Sequence, residues 1–358
     1  MTLRVRRRYS PRVIIAIRVE GLRGIRTGAV EGLGALSVLV GPNGSSKSTI
    51  LDAVMLAASG APGDAVGRVT QRRVELWGGA RWLFWRGGRS VEPTARIEVD
   101  VEGAAPRSVK LTLLTQASAE LVGRLVAQGA RPPFEGIESV VEQGGATLVG
   151  STALAYSDNT YAFSQGGART LQETAPVRLV DPRPGGTHAP LWRSFTEAAE
   201  RGLTREVEAL VRAVVPDLER LQILADDAGL SILHLGFPDH SIPVGIAGDG
   251  IQTLVQVALA VAQPAGSTVL LEEPEATQHP PSLDQSARAI AAGVKRGVQV
   301  ILSTHSLDLI DMLRVHLGDD LSMLTVHHLA RSDGALSAVR YSGEDVALAR
   351  DAIGEDLR

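Results

Sequence analysis

Apolar and polar positions change period several times along the 358 residues. At 13–20, VIIAIRVE, and at 36–41, LSVLVG, short apolar runs bounded by glycine read as β-strands, with GLRGIRTGAVEGLG as the punctuated stretch between them. KSTILDAVMLAAS then places apolar residues at 50, 51, 54, 55 and 56, a helical stripe that closes near Gly60 and Pro62. RIEVDVE at 96–102 and SVKLTLLT at 108–115 alternate as the strands of an antiparallel edge do, while 116–175 turns Ala/Gly-rich and reads as an insertion. From 194 to 222, SFTEAAERGLTREVEALVRAVVPDLERLQ is helical and broken at Pro216, too short and interrupted for a coiled-coil arm.

After a hairpin-like region ending near 245, GDGIQTLVQVALAVAQ is a glycine turn opening an almost wholly apolar helix. TVLL at 268–271 and VQVILS at 298–303 are short strands of the buried parallel kind. PPSLDQSARAIAAGVKRG joins them as a helix with Pro281 near its first turn, so the three pieces form a βαβ unit and predict a parallel sheet. GEDVALARDAIGEDLR reads as a closing helix.

Composition changes this picture little: 44% hydrophobic and 21% charged residues are those of an ordinary globular chain, long enough for about two domains or one with an insertion. The absence of cysteine excludes disulfides, thiolate metal sites and a cysteine nucleophile, and fits a cytoplasmic chain. The basic start MTLRVRRRYSPRVIIAI has too short an apolar run for a signal peptide or a membrane span, so no membrane partner is expected. A net charge of −4 argues against wholesale binding of a phosphate backbone; Arg4, Arg6, Arg7, Arg8 and Arg12 form the densest basic cluster, readable as a solvated terminus or as a nucleic-acid contact. Lysine occurs only at 47, 110 and 295, and one of these sits where a phosphate-binding loop needs it.

That loop is LVGPNGSSKSTI. Gly41, Pro42, Asn43, Gly44, Ser45, Ser46, Lys47, Ser48 and Thr49 follow a strand and open a helix, the setting in which backbone N–H groups and a helix N-terminus meet phosphate. Lys47 would reach the terminal phosphates and the Ser48 hydroxyl would ligate Mg²⁺. Ser46 stands where such loops carry glycine, so it strains or slows the site without removing a phosphate-contacting group. In LLEEPEATQHP, Glu272 at a strand end can hold the water shell of Mg²⁺ and Glu273 can orient and deprotonate an attacking water, although paired glutamates there can also be plain surface charge. STHS, at the tip of the next buried strand, offers His305 to a γ-phosphate or the attacking water, with Ser306 placed as a helix N-cap.

These three pieces in this order resemble the ATP-binding-cassette class of P-loop ATPases, and more closely its soluble SMC-like and OLD-like (overcoming-lysogenization-defect) branch. The similar stretches are VEGLRGIRTGAVEGLGALSVLVGPNGSSKST, LVRAVVPDLERLQ, GDGIQTLVQVALAV, LLEEPEATQHP and STHS, within 13–60 and 205–345. The resemblance implies an α/β fold: a P-loop NTPase with a mixed, largely parallel central sheet, an antiparallel N-terminal β-subdomain and a helical or irregular insertion. The expected divisions are 1–115, an N-terminal lobe with the phosphate loop; 116–193, the insertion; 194–345, a C-terminal lobe; and 346–358, a closing helix or tail. It also implies ATP and Mg²⁺ as ligands, and a homodimer on ATP in which Gly248, Asp249 and Gly250 of one subunit face the nucleotide held by Lys47 of the other. A glycine turn at a helix N-terminus can receive an anion, or be an ordinary helix start. Arg23, in the GLRGI turn, is a candidate contact to phosphate or adenine, or a surface arginine. Gln71 is a candidate Mg²⁺-sensing glutamine, although QRRVELW carries no convincing local pattern.

Two functions follow: an ATPase that drives a DNA transaction or a partner effector, of repair or anti-phage type, and a nucleotide-sensing scaffold that holds an effector protein with little turnover. Only 52 residues follow STHS, so no TOPRIM nuclease domain is expected. The transporter signature and the N-K-x-D motif of GTPases are absent.

Overall fold

The computed structural model describes residues 13–72, 79–87, 93–157, 160–167, 177–181, 190–226, 228–353 and 356; the N-terminal arginine cluster lies outside the described residues. Its strands are β1 (Ile14–Leu22), β2 (Ile25–Glu31), β3 (Leu36–Val40), β4 (Thr94–Val101), β5 (Arg107–Leu114), β6 (Phe134–Gln143), β7 (Ala146–Ser157), β8 (Thr160–Gly167), β9 (Val177–Val180), β10 (Arg220–Ala225), β11 (Ser231–Gly236), β12 (Ser241–Pro243), β13 (Thr268–Glu272), β14 (Gln299–Ser303), β15 (Leu324–Ser332) and β16 (Ala335–Ser342). The helices are α1 (Lys47–Ala58), α2 (Pro62–Gln71), α3 (Ala119–Ala127), α4 (Leu191–Glu200), α5 (Thr204–Arg212), α6 (Asp249–Val261), α7 (Pro280–Lys295), α8 (Leu307–Leu317) and α9 (Gly343–Leu348). None of the described helices is long and apolar enough to cross a membrane.

Thirteen strands form one sheet in the order 8-7-6-5-4-1-2-16-15-3-14-13-9. Strands β15, β3, β14, β13 and β9 pair in parallel. Every residue of β3, β13 and β14 is buried, because helices cover both faces of this part. Successive side chains go to opposite cores: Val38, Leu271 and Leu302 join the core under α5–α8, while Leu39, Leu270 and Ile301 join that under α1 and α2. Toward the other edge, β1 and β4–β8 pair antiparallel and alternate buried with exposed positions on β4, which packs against α1.

Several stretches differ from the reading of the sequence. Segments 96–102 and 108–115 are interior strands, since β4 lies between β1 and β5 and β6 covers the far side of β5; β8 is the edge of this wing. β2 occupies part of the glycine-punctuated stretch, its Gly28 at the point where a Cβ would collide with Leu336 of the neighbouring β16. The insertion is richer in strands than expected: β6, β7 and β8 extend the wing, α3 lies on them, and β9 returns to pair with β13. Alanine and glycine carry too little contrast in hydrophobicity to show a period of two there. The helix expected through 222 ends earlier, and 220–225 forms β10 of a separate three-stranded sheet with β11 and β12.

Candidate active site

The loop between β3 and α1 owes its shape to a few unusual backbone positions. Gly41 has φ 137°, and a Cβ there would collide with the Leu329 carbonyl of β15, so no other residue fits. Ser46 has φ 77° and stands at the N-cap of α1 without a side-chain capping bond. An L-residue in this region costs roughly 1–2 kcal/mol, which is the physical reason glycine is the usual occupant. Arg23 (φ 49°) and Glu273 (φ 44°) are also left-handed, so three of the five such non-glycine residues among those described border one cleft. Strain of this kind gathers at functional sites.

The cleft encloses about 260 Å³ and is lined by Arg23, Gly24, Asn43, Gly44, Ser46, Lys47, Ser48, Thr49, Glu273, His305 and Arg331. Lys47 is 5% exposed and donates to the carbonyl oxygens of Gly41 (2.7 Å) and Pro42 (3.3 Å). Burial pulls its ammonium below the usual lysine range, and the charges of Glu273, Glu275 and Glu272 work against that shift. The Ser48 hydroxyl donates to Glu272 Oε1 at 2.5 Å, and Glu272 is 1% exposed at the end of β13. Glu273 turns into the cleft with its backbone N–H on Ser303 O at 3.0 Å, and its Oε1 lies 3.7 Å from His305 Nε2. Ser306 is the N-cap of α8, accepting from Leu309 N at 3.1 Å.

Most sequence-derived candidates therefore converge. Gly41 and Pro42 hold the lysine, Ser45 is buried beneath the loop, and Glu272 sits behind Ser48. Gln71, the last residue of α2, is not among the residues lining the cleft. Gly248, Asp249 and Gly250 are not there either; Gly248 is the N-cap of α6, and a Cβ on it would meet open space.

Three residues at the site escaped the sequence reading. Arg331, from the end of β15, donates to Gly44 O (3.0 Å) and Gly24 O (2.8 Å), clamping the arginine turn to the phosphate loop. Glu275 Oε1 accepts from Thr304 Oγ1 (2.6 Å) and His305 N (2.8 Å), which fixes the backbone that carries His305; the E-E-P-E run was its signal. Arg72 pairs with Glu272, Asp52 and Asp181 in the interior, one position beyond the glutamine that drew attention.

The donor set fits a magnesium nucleotide. A buried, poorly solvated ammonium beside a helix N-terminus is suited to a phosphate anion. Ser48 Oγ and Glu272 Oε1 are hard oxygens facing each other. No cluster of three His, Asp or Glu ligands occurs among the described residues, so water and the nucleotide would complete the shell, as Mg²⁺ prefers.

Residues 194–311 match the family described as "AAA domain, putative AbiEii toxin, Type IV TA system". Two uncharacterized proteins of Methanocaldococcus jannaschii are similar. MJECL11 is 32% identical over 112 residues, 31% of this chain and 98% of its own length. MJECL10 is 31% identical over 106 residues, 28% of this chain and 46% of its own length, so this chain spans less than half of that relative. Among solved structures, the Smc head domain with an extended coiled coil bound to the C-terminal domain of ScpA, from Pyrococcus furiosus, superposes with a TM-score of 0.52 at 12% identity. That superposition covers 96% of this chain and 100% of the other.

Proposed function

We propose that this chain, which shares its fold with an Smc head domain and matches an AAA-domain family over 194–311, binds ATP with Mg²⁺ in the Lys47 cleft and hydrolyses it to ADP and phosphate. The observation that carries this reading is the convergence on one cleft of Lys47 behind β3, Glu273 behind β13 and His305 behind β14. Ligands of open parallel sheets bind beyond the carboxyl ends of the strands, where all three stand.

In this reading Lys47 leaves the carbonyls of Gly41 and Pro42 for the terminal phosphates. Ser48 and Glu272 hold the Mg²⁺, which when bound neutralises phosphate charge. Glu273 accepts the proton of the attacking water, and His305 orients that water or the γ-phosphate. Arg23 faces the nucleotide from the rim. ATP is closed between two copies of the chain, with Gly248, Asp249 and Gly250 of the second copy capping the γ-phosphate. Their position outside the cleft of their own chain supports a role in trans.

The closed dimer would drive a DNA transaction or a partner effector in the cytoplasm; the toxin–antitoxin description of the matched family favours an effector of the defence type. Left-handed Ser46 favours a second reading, a sensing scaffold that binds ATP, holds an effector and turns over little. Phosphate release by wild type, with and without double-stranded DNA, beside Glu273→Gln decides between them. The ATPase reading expects turnover to fall by about 10² to 10⁴ in the variant while ATP binding survives. Equal rates in the two proteins sink the role of Glu273, and a wild type that changes assembly with ATP yet releases no phosphate establishes the scaffold.

A further inference from the structure

Arg72 ends α2 as its C-cap, and its side chain is fully buried. Its guanidinium meets three carboxylates from three parts of the fold. Nε donates to Asp52 Oδ1 of α1 at 2.8 Å, joined by a short bond from a terminal nitrogen. The other terminal nitrogen donates to Asp181 Oδ2, just past β9, at 2.7 Å and to Glu272 Oε2 in a short bond. Asp52 Oδ2 in turn accepts from Arg23 at the cleft rim, and Glu272 Oε1 accepts from Ser48 at 2.5 Å. A continuous chain of charge-assisted hydrogen bonds thus leaves the cleft at Arg23, crosses the interior through Asp52 and Arg72, and returns to the cleft at Ser48.

Arg72 donates to Oε2 of Glu272 and Ser48 to Oε1, so the carboxylate is held at both oxygens and its orientation is tied to the guanidinium that also grips Asp52 and Asp181. Burial works to lower the Arg72 pKa, but the carboxylates of Asp52, Glu272 and Asp181 outweigh it and raise the pKa, so the fork is permanently charged. Removing an ion cluster in favour of apolar groups is often neutral or stabilising, so this burial is poorly explained by stability alone.

We infer that Arg72 is a positioning residue that fixes the Glu272 carboxylate so that Oε1 and Ser48 Oγ face one point, and thereby sets the divalent-cation affinity of the site. This rests on the nucleotide reading of the cleft. It is distinct from phosphate binding, which Lys47 and the loop backbone supply.

The test is binding, not turnover. Mn²⁺ affinity is read by electron paramagnetic resonance on the ADP-loaded protein, and metal-free affinity by titrating a fluorescent ATP analogue in EDTA. Arg72→Lys keeps the charge and loses the fork. Residues that orient a metal ligand are typically worth about 10- to 100-fold in metal affinity, so Mn²⁺ should bind at least tenfold more weakly, with metal-free nucleotide affinity within twofold of wild type. Mn²⁺ affinity within twofold of wild type, or both affinities falling in parallel as in a merely structural defect, overturns the inference. If Arg72→Lys does not fold, Asp181→Asn loosens the same nitrogen from outside the cleft. It should weaken Mn²⁺ selectively by about threefold or more, and an unchanged Mn²⁺ affinity again overturns the inference. A wild type that binds no nucleotide would bring down the cleft reading and this inference together, whereas normal wild-type binding with unaltered metal affinity in the variant removes this inference alone.

Discussion

The parallel lobe and the antiparallel wing share one sheet and divide its tasks. In the lobe, β3, β13 and β14 are buried along their whole length, and each is followed within three residues by one that lines the cleft: Asn43, Glu273 and His305. In the wing, β4 alternates buried with exposed residues, and none of the described residues of β4–β8 lines the cleft. Covering a sheet on both faces leaves its strand ends as the accessible places for polar groups, so chemistry collects there; a sheet with one open face can stay structural. Both regions bury polar groups, but those of the wing, Arg107, Ser139 and Thr152, donate to backbone carbonyls of Ser59, Gly150 and Gly63, whereas Glu272, Ser303 and Thr304 of the lobe lie at strand ends behind the cleft.

That division can be broken in order of expected effect. Glu273→Gln, the largest, should cut turnover by about 10² to 10⁴. Light scattering with ATP and Mg²⁺ should then show a dimer that wild type forms only transiently, because bound nucleotide stabilises the state that holds it; a variant that stays monomeric contradicts closure. On the wing side, Ile137→Ala on β6 removes a fully buried side chain, and Ile→Ala changes in cores cost about 2–5 kcal/mol. Urea unfolding should register the loss while ATP affinity at 25 °C stays within twofold; a large affinity loss would mean the wing is part of the site.

A third difference is pH. Burial first, and the charge of Arg340 second, push the His327 imidazole on β15 down to about 4 from 6.5. Above pH 6.5 the ring is neutral in both folded and unfolded chains and contributes nothing to pH dependence. Below it, the unfolded chain takes a proton that the fold refuses until about pH 4. Stability should therefore fall by about 1.4 kcal/mol per pH unit through that window, beyond the slope of His327→Gln. Urea midpoints that run parallel for the two proteins would show that the ring does not titrate there. The smallest effect is Ser46→Gly, which relieves roughly 1–2 kcal/mol of backbone strain. Hydrolysis should stay level or rise a few-fold, and a large loss would mean that the serine hydroxyl takes part.

What the sequence disclosed and withheld follows the same line. Unbroken apolar runs made β13 and β14 legible, and backbone chemistry concentrated in a dozen residues made the phosphate loop legible. Gly28 hid β2, because its meaning lies in the approach of β16. The Ala/Gly-rich wing strands had no contrast from which to read a period. Arg331 and Arg72 carry no motif, and their roles come from partners such as Gly24, Gly44 and Glu272 that lie far away in the chain.

The central claim is that the Lys47 cleft holds ATP, and isothermal titration of Mg²⁺–ATP into wild type and Lys47→Ala tests it most directly. Lys47 is the buried cation at the centre of the loop, and charge-assisted contacts contribute about 1.5–3 kcal/mol each. The account predicts saturable binding by wild type and none measurable by a folded Lys47→Ala; equal affinity in the two proteins would contradict it.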